Sequence, residues 1–273
     1  MKKRASIKMP LSAEVSSVSI ARRAMRRAMV AIVATVRRTW PNTKQSDLIA
    51  AVKSTLDRGA TIAALKRISL LVRYQNYLQL SAILTTPPVW DRKAENRKAA
   101  AEAIETWIYI KSMLVPVKRD SIRIDKLLPG EENIVETPYL NSIMGRLRAQ
   151  RASNAEIIET LQAIREAAPE MERTSISKVR ARVLGWEAKA NQEHQEEVGV
   201  RRYTWVSQQD FLVRPRHAEL DGTIQRWSAP PIADSRTGYR AHPGGCNYCR
   251  CVAEPIETKK TKAKLAKGRR ARA

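Results

Sequence analysis

No stretch of this chain reaches 18 uninterrupted apolar residues, so no membrane-crossing helix is expected and no membrane partner is assigned. The basic start MKKRASIKMPLSAEV has no continuous apolar run behind it, so it does not read as a secretory leader. Cysteine is scarce: the three in 273 residues are an odd number and sit close together, which excludes a disulfide framework and suits a reducing compartment. Self-similarity at a period of 20–50 residues is absent, which excludes a solenoid. Neither a recognition-helix motif nor the cysteine and histidine spacing of a classical zinc finger occurs, so nothing in the chain reads a base sequence.

Acidic residues are missing where basic ones are densest. The chain carries 50 Lys and Arg against 27 Asp and Glu, a net charge of +23. Residues 1–40 hold ten cations and one acid, Glu14, and residues 259–273 hold eight cations and none. The two ends thus supply seventeen of the 23 surplus charges and leave an ordinary middle. Ends of this kind repel themselves and favour a polyanion, and on DNA each neutralised phosphate releases a counterion. Nucleic acid or an acidic protein surface fits such ends, and non-specific DNA is the expected partner of both termini, against the plainer reading of a solubilising tail.

The pattern is helical first. Met25, Met29, Ile32 and Val36 recur at helical spacing over residues 14–39, flanked by Arg22, Arg23, Arg26 and Arg27, and Pro41 ends the run. Such a basic amphipathic helix would lie on a membrane or a partner, or pack its stripe on its own neighbours. A short helix is expected over 46–58, capped by Ser46 or Asp47 and stopped by Gly59, then a longer one over 60–84. Another spans Asp91 to Leu114 with Ile104, Trp107, Ile108 and Ile110 inward. Val115 to Asp125 reads as a connector or a short strand pair, and Leu128-Pro129-Gly130 as a turn. Helices resume at Pro138–Gln150 and after a capping box at Ser153, the latter broken by Pro169, and a last one runs over about 170–197 to Gly199. Beyond it the period drops towards two, among proline and glycine, as in short strands set in loops. The expected class is α+β: a mainly helical N-terminal region (1–130), a second region (131–258) that ends in a small, irregular, β-rich C-terminal module, and a basic, disordered tail (259–273).

All three cysteines (Cys246, Cys249, Cys251) and two of the three histidines (His217, His242) fall between Tyr203 and Pro255. Their crowding has the density of a metal site. Tetrahedral zinc takes four thiolate and imidazole ligands, and the expected set is His217, His242, Cys249 and Cys251, with Cys246 able to displace a histidine. Four protein ligands would make the zinc structural, a clip for a region poor in apolar residues. The plain reading is that the cysteines are small buried hydrophobes and the histidines cap loops.

The same stretch resembles the phage Mu F-like minor head proteins, a phage head-morphogenesis family. The residues that carry the resemblance are Tyr203, Trp205, Asp210, Val213-Arg214-Pro215, His217, Leu220-Asp221-Gly222, Trp227, Pro230-Pro231, His242-Pro243-Gly244, Cys249-Arg250-Cys251, Ala253 and Pro255. Upstream, Glu172-Arg173-Thr174, Asn191 and Gly199 also fit the family's approach to this motif, while Cys246 departs from it. The resemblance implies a non-enzymatic minor head (capsid) protein in head morphogenesis, associated with the portal protein and other head proteins. It implies a place in the virion, inside the phage head, after assembly in the host cytoplasm.

Three other readings compete. A metal-dependent nuclease would use the cysteine and histidine cluster with the basic arms, but needs a further His or Asn ligand after Cys251, where Val-Ala-Glu-Pro and a Lys/Arg tail stand. A toxin-like extension would have only the 18 residues after Pro255. Asp210, Arg214, His217 and Asp221 allow a catalytic arrangement with Asp221 orienting His217 and a cysteine as nucleophile, although Asp221-Gly222 is more simply a turn and Arg214 more simply a partner for Asp210 or Asp221. Arg250, between two cysteines, would steady a carbonyl or face a phosphate.

Overall fold

The structure, a computed structural model, describes residues 11–39, 42–114, 154–246 and 248–257. The connector at 115–125, the turn at 128–130, the helix at 138–150, the cap at Ser153, the boundary near 130 and the tail at 259–273 lie outside the described residues. Within them the order is α1 (Leu11–Thr39), α2 (Gln45–Thr55), α3 (Arg58–Ile83), α4 (Arg92–Leu114), α5 (Asn154–Glu197), β1 (Arg202–Val206), α6 (Pro215–Leu220), β2 (Ile224–Arg226), β3 (Ile232–Asp234), β4 (Tyr239–Arg240) and β5 (Val252–Pro255). The α+β expectation, helical first with a small strand-rich end, holds.

Two compact units divide the chain, one of Val15–Lys66 with Ala100–Arg180, the other including Arg67–Ala99 and the chain from Ala181 onward. In the first unit the α1 stripe is core: Met25, Ala28, Ile32 and Val36 are buried, while Arg22, Arg23, Arg26, Arg27, Arg37 and Arg38 are exposed. The stripe packs on the protein itself, as the plainer of its readings had it.

The helix starts correct two expectations and the inward face of α4 a third. Asp47 does not cap α2 but reaches back from inside its first turn to accept the Lys44 N–H at 3.2 Å. Asp57 caps α3 by accepting the Ala60 N–H at 3.0 Å, so Gly59 lies in the opening turn of α3 instead of ending α2. On α4, Asp91 accepts the amides of Lys93 and Ala94, and these bonds hold its carboxyl below the usual range. The inward face of α4 is then Ala99, Ala103, Thr106, Tyr109 and Ile110, which leaves Ile104 exposed. Trp107 stands half-buried between the Arg58 guanidinium and the Lys111 ammonium, at 5.4 and 5.3 Å from its ring.

Pro169 does not break the chain of helix either: α5 runs 44 residues through it. An interior proline forfeits one backbone bond, a local cost of about 3 kcal/mol. Ala167-Ala168 before it and Glu170-Met171-Glu172-Arg173 after it are strong helix formers, and Pro169 is exposed.

In the second unit, α5 ends in a Schellman motif. Gly199, with φ of +77°, donates to Glu196, and Val200 donates to Gln195. The turn delivers Val198 and Val200 into a cluster with Leu80, Leu84 and Val252. Directly afterwards β1 begins as the centre of a three-stranded antiparallel sheet ordered β2-β1-β5, with Tyr203 opposite both Gln225 and Pro255 and Trp205 opposite Ala253. A second, two-stranded ribbon pairs β3 with β4.

The last turns of α5 also hold the sheet by side-chain amides. Asn191 and Gln195 both donate to the carbonyl of Ala253 in β5, at 2.9 and 2.8 Å, and Gln195 accepts the Trp227 indole N–H. Gly244 comes so close to α5 that an added Cβ would stand 2.5 Å from Ala188 Cβ, and its φ is +78°. At the other edge of this unit Thr85 donates its N–H and hydroxyl to the two Glu257 carboxylate oxygens.

The same unit holds a buried polar network. Arg73 is fully buried and pairs with Glu95 and Glu193, Lys98 binds Glu95, Glu193 and Glu197, and His194 Nδ1 meets Asn76 Oδ1 at 2.8 Å. Burial alone would raise Glu95, but bonds from His194 and Arg73 outweigh it and hold the carboxyl well below its usual range. Among the described residues Glu187 has the Asn76 amide, at 3.4 Å, as its partner, and burial pushes it up to about 7.

This packing sets a pH dependence and a steric limit. The folded state keeps a proton on Glu187 that the unfolded chain releases near its ordinary 4.5, so this group's contribution is complete at low pH and is lost as pH rises through 7. The gap between those two values caps the loss at ~3 kcal/mol. Urea unfolding at pH 5 and pH 8 should show Glu187→Gln losing less stability between the two than the parent does. Gly244→Ala should cost more than ~2 kcal/mol, from backbone strain plus the collision with Ala188. In an Ala188→Gly background the same change should cost only ~1 kcal/mol, the strain alone, which a double-mutant cycle by thermal unfolding would check.

Candidate metal centre

The β-rich module has an unusual core. Its buried cluster is Tyr203, Trp205, Leu220, Trp227, Ala233, Ala241, Ala253 and the three cysteines. Strand alternation in β1 sends Tyr203 and Trp205 to the same inner face, both fully buried. Tyr203 packs on Trp227 with ring centroids 4.4 Å apart, and Trp205 meets His217 edge to face at 5.3 Å.

Each donor is placed by a local device. His217 projects from α6, a single short helix with Pro215 at its first position, and its N–H bonds to the Arg214 carbonyl. The turn after α6 is tied to β1, because Gly222 donates to Trp205 and Trp205 donates to Thr223. Cys249 and Cys251 lie just before β5, whose pairing with β1 fixes Val252 opposite Val206. Cys246 and Cys249 are the ends of a tight turn, with the Cys249 N–H on the Cys246 carbonyl at 3.1 Å and Tyr248 in the left-handed region at φ +57°.

Among the described residues, His217, Cys249 and Cys251 bring one donor atom each within 4.8 Å of one another. His217 Nδ1 is 3.6 Å from Cys249 Sγ and 3.5 Å from Cys251 Sγ. Zinc–sulfur and zinc–nitrogen bonds of about 2.3 and 2.0–2.1 Å at a tetrahedral angle put sulfur and nitrogen about 3.5 Å apart. The three are 2, 4 and 5% exposed. The Gly244 N–H points at Cys249 Sγ from 3.3 Å. His217 Nε2 is buried, with no hydrogen-bond partner among the described residues.

The sulfurs differ in acidity. Cys249 is held well below an ordinary thiol because Cys251 donates its hydrogen bond to it, against the cost of burial, with His217 and Gly244 assisting. Cys251 is correspondingly raised, the pair keeping one proton on its side. Cys246 stands outside the 4.8 Å group; burial, with the Cys249 charge added, pushes its thiol up to about 12.

His242 is placed otherwise. Its Nδ1 is 2.8 Å from the Tyr203 hydroxyl, and its ring stands edge-on to Trp227 at 4.8 Å. Burial pulls its imidazole below the usual value. The polar residues weighed for catalysis are also occupied. Asp221 accepts the Ser207 N–H at 2.7 Å and the Gln209 amide at 2.9 Å, which steadies the loop after β1. Arg250 Nη2 donates to both carboxylate oxygens of Asp210, at 2.8 and 2.7 Å, tying the Cys-Arg-Cys segment to that same loop. Sequence reasoning missed the Gly244 amide and Gln195. A glycine next to His-Pro, inside the motif, was the available signal for the first; Gln195 had none.

Comparison with known proteins places a family match over this part of the chain. Residues 144–254 match the family described as Phage Mu protein F like protein. An uncharacterised protein of Haemophilus influenzae is 42% identical over 69 residues, which is 25% of this chain and 14% of that protein. The matched stretch is therefore a small part of that relative's length. No solved structure matches the chain. The resemblance carried by Tyr203 to Pro255 is borne out, and residues 144–254 are a phage Mu F-like segment.

Proposed function

We propose that the chain is a phage minor head protein that acts in head morphogenesis, with the portal and neighbouring head proteins as its protein partners and packaged DNA beside it. The observation that carries this is the phage Mu F-like segment over residues 144–254. Its virion setting follows from the same resemblance, and no helix among the described residues is long and apolar enough to cross a membrane.

The DNA part rests on charge. The α1 face opposite the buried stripe exposes six arginines, and the 259–273 segment adds eight cations without an acid. Such surfaces bind phosphate without reading sequence. The role we assign is scaffolding, without catalysis. What supports that over the nuclease reading is burial: His217 turns Nδ1 towards two buried sulfurs, and Asp221 spends its carboxylate on Ser207 and Gln209.

In a phage carrying this gene, mass spectrometry of purified particles should find the protein in DNA-filled heads at low copy, and disrupting the gene should reduce the yield of filled heads. Normal yields of filled heads without it would overturn the assignment. Retention of duplex DNA should be independent of sequence and fall steeply with salt. Deleting residues 259–273 should flatten the log–log salt slope by about 0.9 for each phosphate that the tail neutralises. An unchanged slope would remove the tail from the interface.

A further inference from the structure

We propose that His217, Cys249 and Cys251 bind one zinc(II) ion, with Cys246 closing the tetrahedron, as a structural clip of the C-terminal module. Nothing in the head-assembly reading requires it, and it stands on geometry of its own. The two nitrogen–sulfur distances, 3.5 and 3.6 Å, are already those of a tetrahedral edge. Both sulfurs face the same ring nitrogen, as two ligands of one ion beside a third would.

Three further features belong to thiolate–metal sites. The Gly244 amide donates to Cys249 Sγ, the way metal thiolates are commonly steadied. The Cys246–Cys249 turn has the C-x-x-C spacing, closed by the Cys249 N–H on the Cys246 carbonyl, that wraps two sulfurs around one metal. His217 Nε2 is the nitrogen left to carry the proton when Nδ1 ligates, and it is buried. Soft sulfur with imidazole in tetrahedral array selects zinc over magnesium or calcium.

His242 stands outside the group of donors that lie within 4.8 Å of one another, and its Nδ1 is engaged by the Tyr203 hydroxyl. Cys246 is the third cysteine of the same buried cluster, and its C-x-x-C turn to Cys249 makes it the sulfur available to close the shell. Loading would displace the thiol protons to solvent, so affinity should rise with pH. Four protein ligands leave no position for water, which makes the ion a clip and not a Lewis acid.

The test uses the full-length protein. Purified without added chelator, it should hold one zinc per chain, and its three cysteines should resist a thiol reagent until a chelator is added. Metal-free protein titrated with cobalt(II) should develop tetrahedral visible absorption at one equivalent. The sulfur-to-cobalt charge-transfer band should correspond to three thiolates, falling to two in Cys246→Ser. Cys249→Ser and His217→Ala should weaken cobalt binding by more than roughly 100-fold, beyond the loss expected for an outer hydrogen-bond partner. His242→Ala should keep both the stoichiometry and the spectrum.

The wild-type cobalt titration needs no variant to fold and decides the matter by itself. Absence of uptake, or a native Cys249–Cys251 disulfide found by alkylation and mass spectrometry, would overturn the site. An unchanged charge-transfer band in Cys246→Ser would overturn the fourth ligand.

Discussion

The C-terminal module depends on how little aliphatic surface it has to bury. Its core cluster contains one branched aliphatic residue, Leu220, with three large aromatics, three alanines and three cysteines. Small side chains let β1, α6 and the loop before β5 approach closely, but they contribute little transfer energy each. Two devices compensate. The aromatic rings pack tilted on one another and edge to face with the histidines, and the last two turns of α5 hold β5 through Asn191 and Gln195. A zinc ion at His217, Cys249 and Cys251 would be a third. Structural zinc contributes on the order of 10 kcal/mol at neutral pH, as much as a whole small domain's net stability.

That dependence explains why the two amides of α5 converge on a single carbonyl. Ala253 faces Trp205 across the β1–β5 ladder, and its oxygen accepts from both Asn191 and Gln195. Each buried bond contributes about 1 kcal/mol net, but an unmet buried carbonyl would cost more than either contributes. Gln195 serves twice, since its own oxygen takes the Trp227 indole hydrogen. The position of β5, and with it of Cys251, is thus set from the helix as well as from the sheet.

Much of this could be read from residue types alone, and the failures have local causes. The helix stripe of α1, the end of α5 at Gly199 and the short strands beyond it all follow from periodicity and glycine placement. Gly59 misled because Asp57 was free to cap the next helix, and Pro169 because strong formers on both sides carry α5 across it. Ile104 misled because alanines, whose small faces let α4 pack closely, occupy the inward positions. The convergence of His217 with Cys249 and Cys251 was legible as crowding but not as a list of ligands. Spacing could not show that Tyr203, on the inner face of β1, would take His242 for itself.

The buried charges of the same unit obey the opposite logic to its core. Arg73 could not be stripped of its partners without leaving an uncompensated buried cation, a change that costs about 3–5 kcal/mol. Yet the network is not fully ionised, because Glu187 has an amide where Glu95 has a guanidinium. Burial therefore raises Glu187 to about 7, where it changes charge near neutrality, while Glu95, in the same unit, remains a carboxylate. The segment of α5 between Glu187 and Gln195 thus carries, in little more than two turns, a carboxyl whose proton depends on pH, the Arg73 partner Glu193, and the two amides that fix β5. One helical segment serves both the strand-rich end and the buried charges.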